Sequence, residues 1–76
     1  MDFTNRTIKE LDVSHLPAPE PFYKILETLL NLKEKEVLKV THRKEPFLLY
    51  EELKKMGFFY RTKQISENQF EIYIYK

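Results

Sequence analysis

Two histidines are the side chains of this 76-residue chain whose chemistry is most open to a functional role. His15 follows the first predicted strand and His42 ends the second. The carboxyl ends of neighbouring parallel strands meet at one sheet edge, where α/β folds commonly bind ligands. Neutral imidazoles bind metal ions and also titrate near pH 6.5. One hypothesis is therefore a metal- or redox-cofactor-linked site at His15 and His42, with Glu20 or Glu45 beside them.

A simpler interpretation of the same histidines is structural, and we favour it. Two histidines without dense ligand spacing are a weak signal for a metal. His42 is placed to cap or hydrogen-bond the start of the second predicted helix, and His15 to be a solvated loop residue. We therefore expect no cofactor and no metal, with His15 and His42 kept as weak candidate ligands.

Groups that carry out catalysis are scarce in this sequence. The chain contains no Cys, so disulfides, thiolate nucleophiles, thiolate zinc sites and persulfide carriage are all excluded. No Gly-rich phosphate loop and no H-E-x-x-H motif is present. Ser14 is adjacent to His15 but lacks the third group of a catalytic triad. We expect a protein that is not an enzyme.

Composition limits the class of protein further. A chain of 76 residues corresponds to one domain with one modest core. With 13 Lys and Arg against 12 Asp and Glu, the formal charge is +1, which disfavours nucleic acid as a partner. No apolar run approaches the ~18 residues of a membrane span, and the N-terminus lacks a signal-like pattern. The sequence predicts a soluble, cytoplasmic protein without membrane contact.

Six elements are predicted to position these side chains. Hydrophobic periodicity predicts strands over 7–13, 36–42, 58–65 and 69–75, and helices over 20–31 and 46–56. The first helix has its apolar positions at Phe22, Ile25, Leu26, Leu29 and Leu30, and the second at Leu49, Leu53 and Met56. Gly57, the sole glycine, is predicted to end the second helix in the left-handed conformation.

The order β-α-β-α-β-β predicts an α/β (α+β) two-layer sandwich. Because a crossover between parallel strands is right-handed, both helices should cover one face of a four-stranded mixed sheet. Residues 7–76 should form this single domain, preceded by a flexible leader over 1–6. Tyr73 and Tyr75 should line the open sheet face with Lys39 and Thr41. Tyrosines there are explained by strand propensity or by a homodimer better than by stacking of nucleobases.

The loop over 14–21 is stiff, because Pro17, Pro19 and Pro21 fix three of its φ angles. A preorganised loop of this kind reduces the ordering cost of binding a partner. The alternative is that the prolines only shape the loop and start the helix.

The segment from Leu11 to Pro21 resembles the signature of the TusA/SirA-like sulfur carriers. In that family a strand ends in Leu-Asp and Leu-x-Cys-Pro-x-Pro begins a helix. The matching residues are Leu11, Asp12, Leu16, Pro19, Glu20 and Pro21. The resemblance implies the βαβαββ fold over 7–76 and a loop on which partner enzymes dock. Ala18 occupies the position of the persulfide cysteine, and a methyl group cannot carry sulfur.

The chain more closely resembles a branch of the same superfamily that usually lacks this cysteine. This domain of unknown function has a Leu-Pro-x-Pro start, here Leu16 to Pro19, and a His-x-x-x-Pro motif, here His42 to Pro46. Its members often occur with hemerythrin-like domains or in respiratory contexts. The resemblance implies the fold but no defined activity.

The hypothesis that follows is a non-enzymatic protein- or ligand-binding module that acts through loop 14–21 and the start of helix two. An accessory of a sulfur-transfer pathway that carries no sulfur is a further alternative. We expect a protein partner. The candidate contact residues are His15, Leu16, Pro17, Ala18, Pro19, Glu20, His42, Glu45 and Pro46.

Overall fold

The computed structural model describes residues 3–76 and contains six elements in the predicted order. They are β1 (Thr7–Asp12), α1 (Glu20–Leu29), β2 (Glu36–His42), α2 (Phe47–Met56), β3 (Phe59–Ser66) and β4 (Gln69–Tyr75). The strands form one mixed sheet in the order β1-β2-β4-β3. β1 is parallel to β2, whereas β4 is antiparallel to both of its neighbours. The predicted fold class is confirmed.

The alternation of strand side chains separates a buried sheet face from an open one. In β2 the residues Leu38, Val40 and His42 are buried, while Lys39 and Thr41 between them remain half-exposed. The buried face packs against both helices through one apolar cluster. Its largest fully buried members are Ile25, Leu29, Leu38, Leu49, Leu53, Ile72 and Ile74. The helices are therefore held by burial of their apolar sides.

The end of α1 differs from its prediction. The helix stops at Leu29 and the chain turns over residues 30–31, so that Leu30 is 76% exposed. Leu32 is buried in the core instead, at 5% exposure. The prediction that Leu30 is buried is wrong because the helical period does not continue past Leu29.

The end of α2 is set by Gly57, as predicted. Gly57 has φ +82°, in the left-handed region, and the N–H of Phe58 donates to the carbonyl of Leu53 at 2.9 Å. This turn brings Phe58 into the core. The prediction that Met56 is buried is wrong: the residue is 39% exposed, and Phe58 lies in the core after the turn.

Smaller differences occur at three other boundaries. β1 ends at Asp12, one residue early; β3 is displaced by one residue to Phe59–Ser66; and α2 begins after Pro46. Of the predicted leader, residues 1–2 lie outside the described residues. The Phe3 ring stacks on Tyr73, with ring centroids 5.9 Å apart. Within residues 3–76, neither helix has the length and hydropathy of a membrane span.

Candidate functional site

The two predicted contact segments begin side by side at one edge of the sheet. The N–H of Val13 donates to the carbonyl of Thr41 at 2.9 Å, so that the ends of β1 and β2 are joined. Loop 14–21 leaves from the first strand and the connection 43–46 from the second. We name residues 14–21 and 42–48 together the carboxyl-edge surface.

Loop 14–21 is fixed by its own hydrogen bonds. The carboxylate of Asp12 accepts from the N–H of Ser14 at 2.9 Å and from its hydroxyl at 2.6 Å. These bonds favour the charged form and lower the pKa of Asp12. Further along, the N–H of Glu20 donates to the carbonyl of Pro17 at 2.9 Å. The loop is therefore tight, and it leaves Pro17, Ala18 and Pro19 exposed.

His15 and Glu20 lie on the α1 side of this surface. They line a shallow groove between the end of β1 and the outer side of α1. The other lining residues are Leu11, Asp12, Leu16, Tyr23, Lys24 and Glu27. Leu16 packs against the core from this loop and is only partly buried. The groove is open and carries both charge signs, since Lys24 pairs with Glu27 at 3.6 Å.

His42 points into the protein. Its side of β2 faces the core, and the residue is 8% exposed. Nδ1 accepts a hydrogen bond from the N–H of Lys44 at 3.1 Å. Burial lowers the pKa of His42, and the charges of Arg43 and Lys44 lower it further. The expected structural role is present, although the bond holds the connection before α2 rather than the helix N-terminus.

The side chains around His15 and His42 do not form a set of metal ligands. Within residues 3–76, the structure contains no group of three or more His, Cys, Asp or Glu side chains that could hold a metal ion. His15 is exposed in the groove, while His42 is buried with Nδ1 already engaged. The residues present therefore do not fit a metal site of the usual four ligands.

Tyr50 is a structural residue that the sequence analysis missed. Its hydroxyl donates to Glu45 Oε2 at 3.1 Å and forms a second hydrogen bond with the hydroxyl of Thr62. Its ring stacks on Tyr60 with centroids 4.3 Å apart. Burial is the main cause that raises the pKa of Tyr50 to about 12. These contacts tie the β2–α2 connection to β3, which explains the position of Glu45.

The first turn of α2 extends the predicted surface. Phe47 is 68% exposed and Leu48 is 75% exposed, directly after Pro46. The Phe47 ring is also nearly perpendicular to the Tyr50 ring, with centroids 6.0 Å apart. The predicted site ends at Pro46 and does not include these two side chains. The exposure of two adjacent apolar side chains indicates a contact surface, and only the structure shows that exposure.

Comparison with known proteins gives one result. A family model described as "Uncharacterized conserved protein (DUF2249)" matches residues 10–76, which include both segments of the carboxyl-edge surface. No curated protein and no solved structure matches the chain. Since the match covers most of the sequence, the chain belongs to the DUF2249 family.

Proposed function

We propose that the chain is a non-enzymatic module that binds another protein through the carboxyl-edge surface. The observation that carries the proposal is the exposure of Phe47 and Leu48, at 68% and 75%, at the sheet edge from which the proline-rich loop 14–21 also leaves. Large apolar side chains that are exposed together and bordered by polar residues are typical of interaction sites. Helix formation does not require these two side chains, because α2 is anchored through Leu49, Tyr50 and Leu53.

Preorganisation supports the proposal. Loop 14–21 is held by the Asp12–Ser14 and Pro17–Glu20 hydrogen bonds, and the β2–α2 connection is held by His42 and Tyr50. A surface whose backbone is already ordered loses little conformational entropy when it binds. Loop 14–21 and the segment 42–48 therefore need little rearrangement to receive a partner.

The charges beside the apolar residues suggest the chemistry of the partner. Arg43 and Lys44 are both exposed in the connection that precedes Phe47. Neither makes an ion pair with a residue of the described chain, 3–76. A partner with an apolar patch bordered by Asp or Glu side chains would complement this surface.

The resemblance to the sulfur carriers suggests one class of partner. If the loop has kept its docking role while Ala18 has replaced the cysteine, the partner is an enzyme of sulfur transfer and this chain is a non-carrying accessory. Ala18 is exposed in the loop, so a cysteine introduced there would be accessible. We expect an A18C variant to accept persulfide sulfur from a cysteine desulfurase of the native host. An A18C variant that is folded but never acquires sulfur would count against this class of partner.

Site-specific photo-crosslinking in native-host cells tests the proposal. A photoreactive side chain is placed at Ala18 or Phe47, and at Lys55 or Asn68 as exposed controls outside the surface. We expect the same protein to be captured from positions 18 and 47 and not from the controls. Excess wild-type domain should compete for the capture, whereas an F47S/L48S double variant should not. Equal capture from the control positions would contradict the proposal.

A further inference from the structure

Two rows of polar side chains cross the sheet face that the helices leave open. Strand pairing places the residues of each row beside one another, from the β1 edge to the β3 edge. The rows are Glu10, Lys39, Tyr73 and Arg61, and Asp12, Thr41, Glu71 and Lys63. Their chain neighbours Val40 and Ile72 belong to the core and Leu11 packs against it, so the rows point to the other side.

The two edges of this face have opposite charge. On the two central strands, Lys39 and Glu71 form an ion pair, with 3.4 Å between Nζ and Oε2. At the edges, Glu10 lies on β1 and Arg61 and Lys63 lie on β3, and within residues 3–76 none of the three forms an ion pair. The face is therefore acidic along the β1 edge and basic along the β3 edge, and the Arg6 guanidinium lies over the Tyr75 ring between them, 5.3 Å from the ring centroid.

On the same face, each edge begins with an exposed apolar residue. Ile8 pairs with Val37 at the β1 edge and is 47% exposed. Phe59 pairs with Tyr75 at the β3 edge and is 62% exposed. Ile8 lies two residues before Glu10, and Phe59 lies two residues before Arg61. Each edge therefore begins with an apolar side chain that is followed by charged side chains.

We propose that a second copy of this chain packs face to face on the open sheet, with the two-fold axis parallel to the strands. This operation places the β1 edge of one copy over the β3 edge of the other. Glu10 then faces Arg61 of the second copy, and Ile8 faces Phe59 of the second copy. Because the interface is isologous, each of these contacts occurs twice.

The order of the side chains favours a second copy over other occupants. An axis perpendicular to the strands would place each edge over itself, so that the acidic edges of the two copies would face each other. A polyanion would meet Glu10 as well as Arg61, so it matches only one edge. Aligned packed sheets lie about 10 Å apart, a distance that two long charged side chains span together.

The centre of the face fits the same arrangement. Phe3 lies over Tyr73 and Tyr75, with ring centroids 5.9 and 5.3 Å apart. These tyrosines belong to β4, a central strand beside the proposed axis. In the dimer, Phe3 lies near the axis and adds apolar area between the two charged edges.

Charge reversal combined with sedimentation equilibrium tests the proposal. We expect the wild-type protein to have the mass of a dimer at ~0.5 mM, a concentration that detects even a weak complex. E10K and R61E each set like charges against each other at both symmetric contacts, so each should raise the dimer Kd roughly tenfold or more. E51K and K54E make the same charge changes on α2 and should leave the Kd unchanged.

Mixing the two variants distinguishes this interface from any other. E10K mixed with R61E restores opposite charges at both contacts, and so does the double variant E10K/R61E. We expect both to recover dimer formation to near the wild-type Kd. A monomeric wild-type protein at ~0.5 mM would overturn the proposal. A dimer that E10K and R61E leave intact, or one that the mixture does not restore, would also overturn it.

Discussion

Nδ1 of His42 accepts a hydrogen bond from the backbone N–H of Lys44 at 3.1 Å, and His42 is only 8% exposed. An imidazole nitrogen accepts a hydrogen bond only when it is unprotonated. The structure therefore requires neutral His42 with its proton on Nε2. Since this bond holds the connection that leads to Phe47, protonation of His42 would loosen part of the carboxyl-edge surface.

The first prediction concerns pH. The pKa of His42 is lowered in the folded protein, mainly by burial, so the unfolded chain takes up a proton at higher pH than the folded one. Stability that is complete above about pH 6.5 is then lost as the pH falls through the lower, folded pKa. We expect His42→Asn, which keeps an acceptor for Lys44, to lose less stability than wild type between about pH 7.5 and about pH 5.5. Urea unfolding measures this, with His15→Asn as the control. Equal losses in wild type and His42→Asn would refute it.

The second prediction concerns the Tyr50 hydroxyl. Tyr50→Phe removes the bonds to Glu45 and Thr62 and leaves two half-buried polar groups without that partner. We expect the free energy of unfolding to decrease by about 1–2 kcal/mol. Tyr60→Phe is the matched control, because the Tyr60 hydroxyl forms no hydrogen bond within residues 3–76. Its effect should be below about 0.5 kcal/mol, and equal effects of the two variants would argue against the hydrogen-bond account.

The third prediction concerns Gly57. A Cβ at this position meets no atom within 4 Å, so a substitution acts through the backbone alone. With φ at +82°, Gly57→Ala should destabilise the protein by about 1 kcal/mol. Gly57→Asn should cost less, because Asn tolerates the left-handed region. Chemical denaturation of the two variants gives the comparison, and a neutral Gly57→Ala would exclude this role.

The fourth prediction concerns metal binding by the two histidines. Because His42 is buried and bonded while His15 is exposed in the groove, the two imidazoles should not share an ion. We expect an NMR titration with zinc, ferrous and cupric ions at neutral pH to give no saturable shift of both histidines. Joint saturation at about one ion per chain would instead establish the metal site that the sequence pattern suggested.

The limits of β2 and β4 agree with their predictions, because alternation of apolar and polar residues defines a strand with one buried face. The end of α1 does not follow from periodicity, because Leu29, Leu30 and Leu32 are equally apolar. Which of them is buried depends on where the helix ends, and that is set by packing. Tyr50 was predictable, since the positions three and four after Pro46 both fall on the buried side of a helix.

The candidate site was only partly predictable. Parallel strands 1 and 2 place their ends at one sheet edge, and the Val13–Thr41 hydrogen bond shows that they do. The alternation of β2 also puts His42 with Leu38 and Val40 on the core side. His15, however, lies in a turn beyond β1, where no period fixes the direction of a side chain. The position of His15 in the groove therefore required the structure.

The most direct test of the docking account is an NMR titration of the ¹⁵N-labelled domain with the protein captured by crosslinking. The account predicts that amide shifts or line broadening concentrate in residues 14–21 and 42–48. The β3–β4 turn at Glu67 and Asn68 and the outer side of α2 at Lys55 should stay unchanged. Shifts confined to the open sheet face, or spread evenly over the domain, would contradict the account.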